Sequence, residues 1–275
     1  MSGPEDTAGH ERWPQRAPEW RHDAPDPPEA FQVPWSWRDG LALIAIVLLA
    51  IVVISSFVAA LGLDARSDVV LLGFSIASEV VVLTAALAYL RARGALTWHL
   101  LGPLRPRNRH ILVGLAVGAA GWVVVMLVLQ IVVTSVDPER LPQQEALQRV
   151  AGGGVTTVVM AVAAAVVLAP VVEELIYRAV LFQALRGRVG LYPAMGISSF
   201  VWGFTHLELL VDESGQFQAS GLLGVLALVL LGFWLAGAFH RTGSLVVPVA
   251  AHAVFNAIAL AVAVVAGPSL TSGAV

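Results

Sequence analysis

Seven long apolar runs constrain this chain more than anything else in it: Leu41–Leu63, Val69–Leu90, Ile111–Val136, Val155–Leu185, Leu191–Leu210, Ser220–Phe239 and Ser244–Ala266. A helix needs about 20 apolar residues to cross the hydrocarbon of a bilayer. Backbone polar groups find no water there and must be satisfied within the segment, so runs of this length are read as helices. The expected fold is all-α, a polytopic membrane helix bundle with seven transmembrane helices, or eight helical pieces if the fourth run is broken at Pro170. Only 13% of the residues are charged, about half the share of a soluble domain. With no cysteine, disulfide and thiolate chemistry are excluded. A formal net charge of -3 gives no reason to expect nucleic acid as a partner.

The first 36 residues are polar and rich in Pro, Asp, Glu and Arg, and they read as a disordered tail ahead of a membrane domain over 37–275. Trp35 and Trp37 stand where amphipathic indoles favour the headgroup level. Arg91, Arg93, Arg105, Arg107 and Arg109 crowd the loop after the second run. Arg186, Arg188 and Arg241, and Arg12, Arg16, Arg21 and Arg38 of the tail, fall on the same side, against Arg66, Arg140 and Arg149 on the other. Cytoplasmic loops carry the excess of basic residues, so the N-terminus is expected in the cytoplasm, with the chain in a bacterial plasma membrane. Gly114 and Gly118 form a G-x-x-x-G that suits close helix packing within the chain. Glu79 is a lone carboxylate in the second run, read as a structural hydrogen bonder or a partner of the site below.

The chemistry is concentrated in the later runs, with the core expected over about 155–266. Glu173, Glu174 and Arg178 interrupt the fourth run, and intramembrane charges are expensive and usually face a bundle interior or a cavity. His206 and His252 lie inside the fifth and seventh runs. At about 1.5 Å per residue the two imidazoles and the carboxylates can share one layer. Glu174 and Arg178 are four apart and can pair on one face, as can His252 and Asn256. Glu173 is rotated about 100° from Glu174 and can face a cavity instead. Two neutral imidazoles and one carboxylate make a first shell for a catalytic Zn²⁺ with a position left for water. Alternatively, Glu173 acts as general base on a water while histidine and Asn256 bind the oxyanion. Both routes lead to amide hydrolysis inside the membrane.

Glu173-Glu174-Leu-Ile-Tyr-Arg178 resembles the E-E-x-x-x-R motif of the CPBP family. These are intramembrane proteases of the CAAX-protease and bacteriocin-processing (Abi) type, related to the Rce1 endopeptidases. Trp202-Gly-Phe-Thr-His206 is similar to the family's F-x-x-x-H, with Trp in place of Phe, and His252-Ala-Val-Phe-Asn256 to its H-x-x-x-N. Thr242–Pro248 precedes the last motif as it does in the family. The resemblance covers about Ala169 to Leu260. It implies an endopeptidase acting on a membrane-associated protein or peptide, with Glu173 activating water and His206, His252 and Asn256 around it, as a zinc or a metal-free glutamate protease.

Rival chemistries fit less well. There is no H-E-x-x-H, and Asp64, Asp68, Asp137 and Asp212 fall in loops or at termini rather than forming an intramembrane dyad. Ser198 and Ser199 lack a nucleophile context. A non-catalytic scaffold or immunity protein retaining the site is the runner-up. A proton-coupled transporter is a distant third, since neither an internal repeat nor a larger number of spans is present.

Overall fold

A computed structural model describes residues 33–64, 67–102, 108–136, 150, 152–211, 216–218 and 221–271. The tail before residue 33, and with it most of the segment expected to be disordered, lies outside the described residues, as do Arg66, Arg105, Arg107, Arg140 and Arg149. Among the described residues seven α- or α/π-helices follow in order: α1 Trp37–Ala60, α2 Asp68–Ala92, α3 Asn108–Val136, α4 Val155–Val189, α5 Leu191–Phe204, α6 Gly221–Thr242 and α7 Val246–Thr271. All except α5 are long and apolar enough to cross a membrane. Their outer faces carry Leu48, Leu49, Phe57, Leu112, Leu127 and Ile131 exposed. Such faces would be a liability in water and suit lipid.

Two expectations change in detail. The fourth run is not broken at Pro170. It continues through 35 residues by switching winding, with π-helical turns at Val162–Leu168 and Glu174–Phe182 around a short α segment, Ala169–Glu173. The fifth run is not a full span. Its helix stops at Phe204 after 14 residues, about 21 Å of rise, and a 3₁₀ turn, Leu207–Leu210, follows. Polar side chains fold back onto the last turn. Thr205 Oγ1 donates to the Trp202 carbonyl at 2.7 Å, and His206 Nδ1 reaches the same oxygen at 3.1 Å. The Thr205 N–H also donates to that carbonyl, at 3.0 Å, in the 3₁₀-like pattern of a closing last turn.

The second half of α4 is the hub. Every residue from Glu174 to Phe182 is buried, as expected of a segment apolar all round apart from its ion pair. Ile176, Val180 and Phe182 join Leu43, Val82, Leu90, Trp202 and Leu235 in one core. α3 lies against α7 where glycines allow contact. A Cβ on Gly118 would meet the Ala251 carbonyl oxygen and Cα, and one on Gly114 would meet Ala250 and Val247. The G-x-x-x-G is thus a packing seam that supports the helix carrying His252.

Trp35 is not at a headgroup surface. It is buried and donates from Nε1 to the Val180 carbonyl at 3.1 Å, in the second π turn of α4. Trp37 is half-buried, with the Arg38 guanidinium 5.7 Å from its ring centre. Asp39 then ties α1 to α2, accepting from Tyr89 at 2.8 Å and Arg93 at 3.1 Å. The start of α1 and the end of α2 therefore share one end of the bundle. A backbone bond from Leu245 to Leu101 at 2.9 Å brings the start of α7 there too.

Candidate active site

α4, α5 and α7 bring Glu173, His206 and His252 together, as the motif spacing predicts. Nε2 of His206 lies 3.8 Å from Glu173 Oε1, and Nε2 of His252 lies 3.8 Å from Glu173 Oε2. The far nitrogen of each ring is engaged elsewhere. His206 Nδ1 faces the Trp202 carbonyl, which can only accept, so Nδ1 carries the proton. His252 Nδ1 faces Glu174 Oε1 at 3.0 Å and donates to it for the same reason. Both imidazoles therefore turn an Nε2 lone pair toward the Glu173 carboxylate.

The adjacent glutamates differ in their surroundings. Glu174 and Arg178 are wholly buried, and Arg178 Nη1 lies 3.0 Å from Glu174 Oε1. The contact is close but poorly aligned. Glu174 Oε2 and the three guanidinium nitrogens of Arg178 make no hydrogen bond among the described residues. Much of the arginine's remaining support comes from Trp202, whose ring centre is 4.5 Å from the guanidinium carbon, within the range of a cation–π contact. The Glu173 side chain keeps 17% of its surface and that of His206 25%. The buried carboxylate thus holds an arginine and a histidine, and the partly accessible one faces the two Nε2 atoms and the Trp202 indole.

Trp202 is the residue that sequence reasoning undervalued. It was legible only as an aromatic in a motif. Its Nε1 donates to Glu173 Oε2 at 2.7 Å. Its ring meets those of His206 and His252 edge-on, with centroids 5.5 and 5.3 Å away. One indole thereby sets the carboxylate, both imidazoles and the arginine relative to each other. A donor N–H on a buried aromatic in an otherwise Phe position was the available signal. Tyr177 adds a further tie, donating to Thr205 Oγ1 at 3.3 Å.

Asn256 is on the His252 face of α7, but its Nδ2 donates to the Ala165 carbonyl of α4 at 2.7 Å rather than to a group of the Glu173 cluster. Glu79 is half-buried beside Ser78 on α2. Ser198 and Ser199 are buried and turn their hydroxyls back to the Met195 carbonyl, which leaves neither free as a nucleophile.

The donor chemistry of Glu173, His206 and His252 suits zinc, down to the carboxylate behind His252. The spacing is wider. Ligands about 2 Å from one ion in a tetrahedron stand about 3.3 Å apart, against 3.8 Å for both histidine–glutamate contacts. Among the described residues no group of three His, Cys, Asp or Glu is spaced to hold a metal ion.

No curated protein and no solved structure matches the chain. A family model does: Rce1-like, the type II CAAX prenyl endopeptidases, over residues 155–258. The match takes in the two glutamates and Arg178 on α4, His206 after α5, and His252 and Asn256 on α7. That segment, from the start of α4 into the later turns of α7, is similar to the Rce1-like type II CAAX prenyl endopeptidases.

Proposed function

We propose that the chain hydrolyses a peptide bond of a membrane-associated protein or peptide, with Glu173 as the general base. The observation that carries the proposal is the ring of acceptors. Both oxygens of Glu173 stand 3.8 Å from an imidazole Nε2, and each Nδ1 is occupied elsewhere. That separation is too long for a direct hydrogen bond and leaves room for a bridging water. A water held there gives one proton to Glu173 as its oxygen attacks the scissile carbonyl carbon. The C–N bond then breaks, and the proton is delivered to the leaving amine. His252 is placed to carry it, because Glu174 holds the ring by Nδ1 and pairs with the positive charge while the proton is aboard, as a carboxylate does behind a catalytic histidine. Trp202 holds the Glu173 carboxylate in line.

The substrate reaches the site from within or beside the bilayer, and the N-terminus and arginine-rich loops are on the cytoplasmic side. The test is cleavage of a fluorogenic library of apolar peptides by the purified protein in detergent, read by mass spectrometry. Defined internal cuts are expected. A protein that is folded and leaves every peptide intact would favour the scaffold reading.

A further inference from the structure

The amide of Asn256 is committed to α4 at the point where a hydrogen bond is missing, and the winding of α4 explains why. In the first π turn the ladder runs five residues back, since the Ala169 N–H donates to the Ala164 carbonyl. The next bond in that register would come from residue 170 to Ala165. Residue 170 is Pro170, which has no N–H. The Ala165 carbonyl is the group left over, and Asn256 Nδ2 donates to it at 2.7 Å. In a bilayer an unsatisfied backbone carbonyl is expensive, and neighbouring helices commonly supply the donor that a proline removes.

We propose that Asn256 is a positioning residue, the donor that replaces the absent N–H of Pro170, and that it sets the depth of α7 against α4. His252 lies four residues earlier on the same face of α7 and binds Glu174. α7 is thus pinned to α4 at two places, one on each side of Glu173. The lock at Ala165 fixes the distance from His252 Nε2 to the Glu173 carboxylate. This inference rests on the endopeptidase reading for its effect on rate, though not for the hydrogen bond itself.

A double-mutant cycle tests it. Pro170→Ala restores an N–H to α4, which then satisfies Ala165 from within the helix in either the α or the π register. Asn256→Ala alone should lower kcat about tenfold or more with KM little changed, and lower the melting temperature in detergent. In the Pro170→Ala background the same substitution should cost less than threefold in kcat and leave the melting temperature nearly unmoved. If Asn256→Ala cannot be isolated folded, recovery of a monodisperse protein by adding Pro170→Ala supports the lock, and failure to recover overturns it. Equal losses in both backgrounds overturn it and return Asn256 to the reacting atoms, where removing an oxyanion donor costs about a hundredfold or more. The melting temperatures need no substrate. A chain that cleaves nothing would therefore sink the endopeptidase reading, while the lock is still decided by the cycle.

Discussion

His252 donates from Nδ1 to Glu174 Oε1 at 3.0 Å, while its Nε2 faces Glu173. One imidazole therefore links two neighbouring carboxylates that have different work. Glu174 is sealed with Arg178 behind the ring, and Glu173 stands in front of it with part of its surface open. An α-carbon separation of one residue gives this division because successive side chains on a helix diverge by about 100°.

The buried pair should behave as structure. Glu174→Gln leaves Arg178 wholly buried beside a neutral amide, and breaking a buried pair at one partner costs about 3–5 kcal/mol. A fall in melting temperature of several degrees is expected in detergent, with activity lost in step with folded protein. Replacing both partners, as in Glu174→Gln with Arg178→Met, should recover part of that stability. Differential scanning fluorimetry of the wild type and the two variants checks this, and an unchanged melting temperature for Glu174→Gln would show that the pair contributes little.

Trp202→Phe removes the N–H that reaches Glu173 at 2.7 Å and keeps a ring against Arg178 and the two histidines. A hydrogen bond to a charged group contributes about 1.5–3 kcal/mol. The variant should stay folded and lose about tenfold or more in kcat. Steady-state kinetics on a cleavable peptide would detect this, and wild-type rates would reduce the indole to packing.

Gly118→Leu tests the seam that carries His252. Even a Cβ at Gly118 would run into the Ala251 carbonyl oxygen and Cα. Backbone cannot yield as a flexible side chain can, so α3 and α7 must separate. Melting temperature and cleavage should fall together, whereas Gly196→Leu, with open space at its Cβ, should change stability far less.

The orientation can be read with one cysteine. Gly102 is a poor site, since its φ is +92° and a Cβ there would meet the Gly243 carbonyl and Phe239. Leu96, exposed in the turn after α2, is a better one. Leu96→Cys should resist an impermeant maleimide added to intact cells and react after lysis. Ready labelling of intact cells would invert the topology.

Much of the site was legible because its residues are costly where they stand. Charges and histidines inside apolar runs at four-residue spacing point to one cluster, and Glu173, His206 and His252 do meet. Hydropathy does not show where a helix ends inside the membrane. α5 ends at Thr205 and His206, with no glycine or proline at the stop, and both residues are compatible with a span. Nor does it show winding. A π turn is one residue wider than an α turn, and nothing in the apolar spacing of Val162–Leu168 or Glu174–Phe182 marks the difference. Trp35 was misplaced because an indole before a span serves equally at a headgroup surface or, as here, as a buried donor to the α4 carbonyl of Val180.

The central claim is that Glu173, and not its neighbour, takes the proton from the attacking water. The most direct measurement is single-turnover cleavage of a transmembrane peptide by Glu173→Gln, with the melting temperature taken on the same preparation. The amide keeps the shape of the carboxylate and can still accept from Trp202, so the protein should melt close to wild type. With no base at that position, cleavage should fall below detection. A folded Glu173→Gln that cuts the peptide at more than a few per cent of the wild-type rate would contradict the claim.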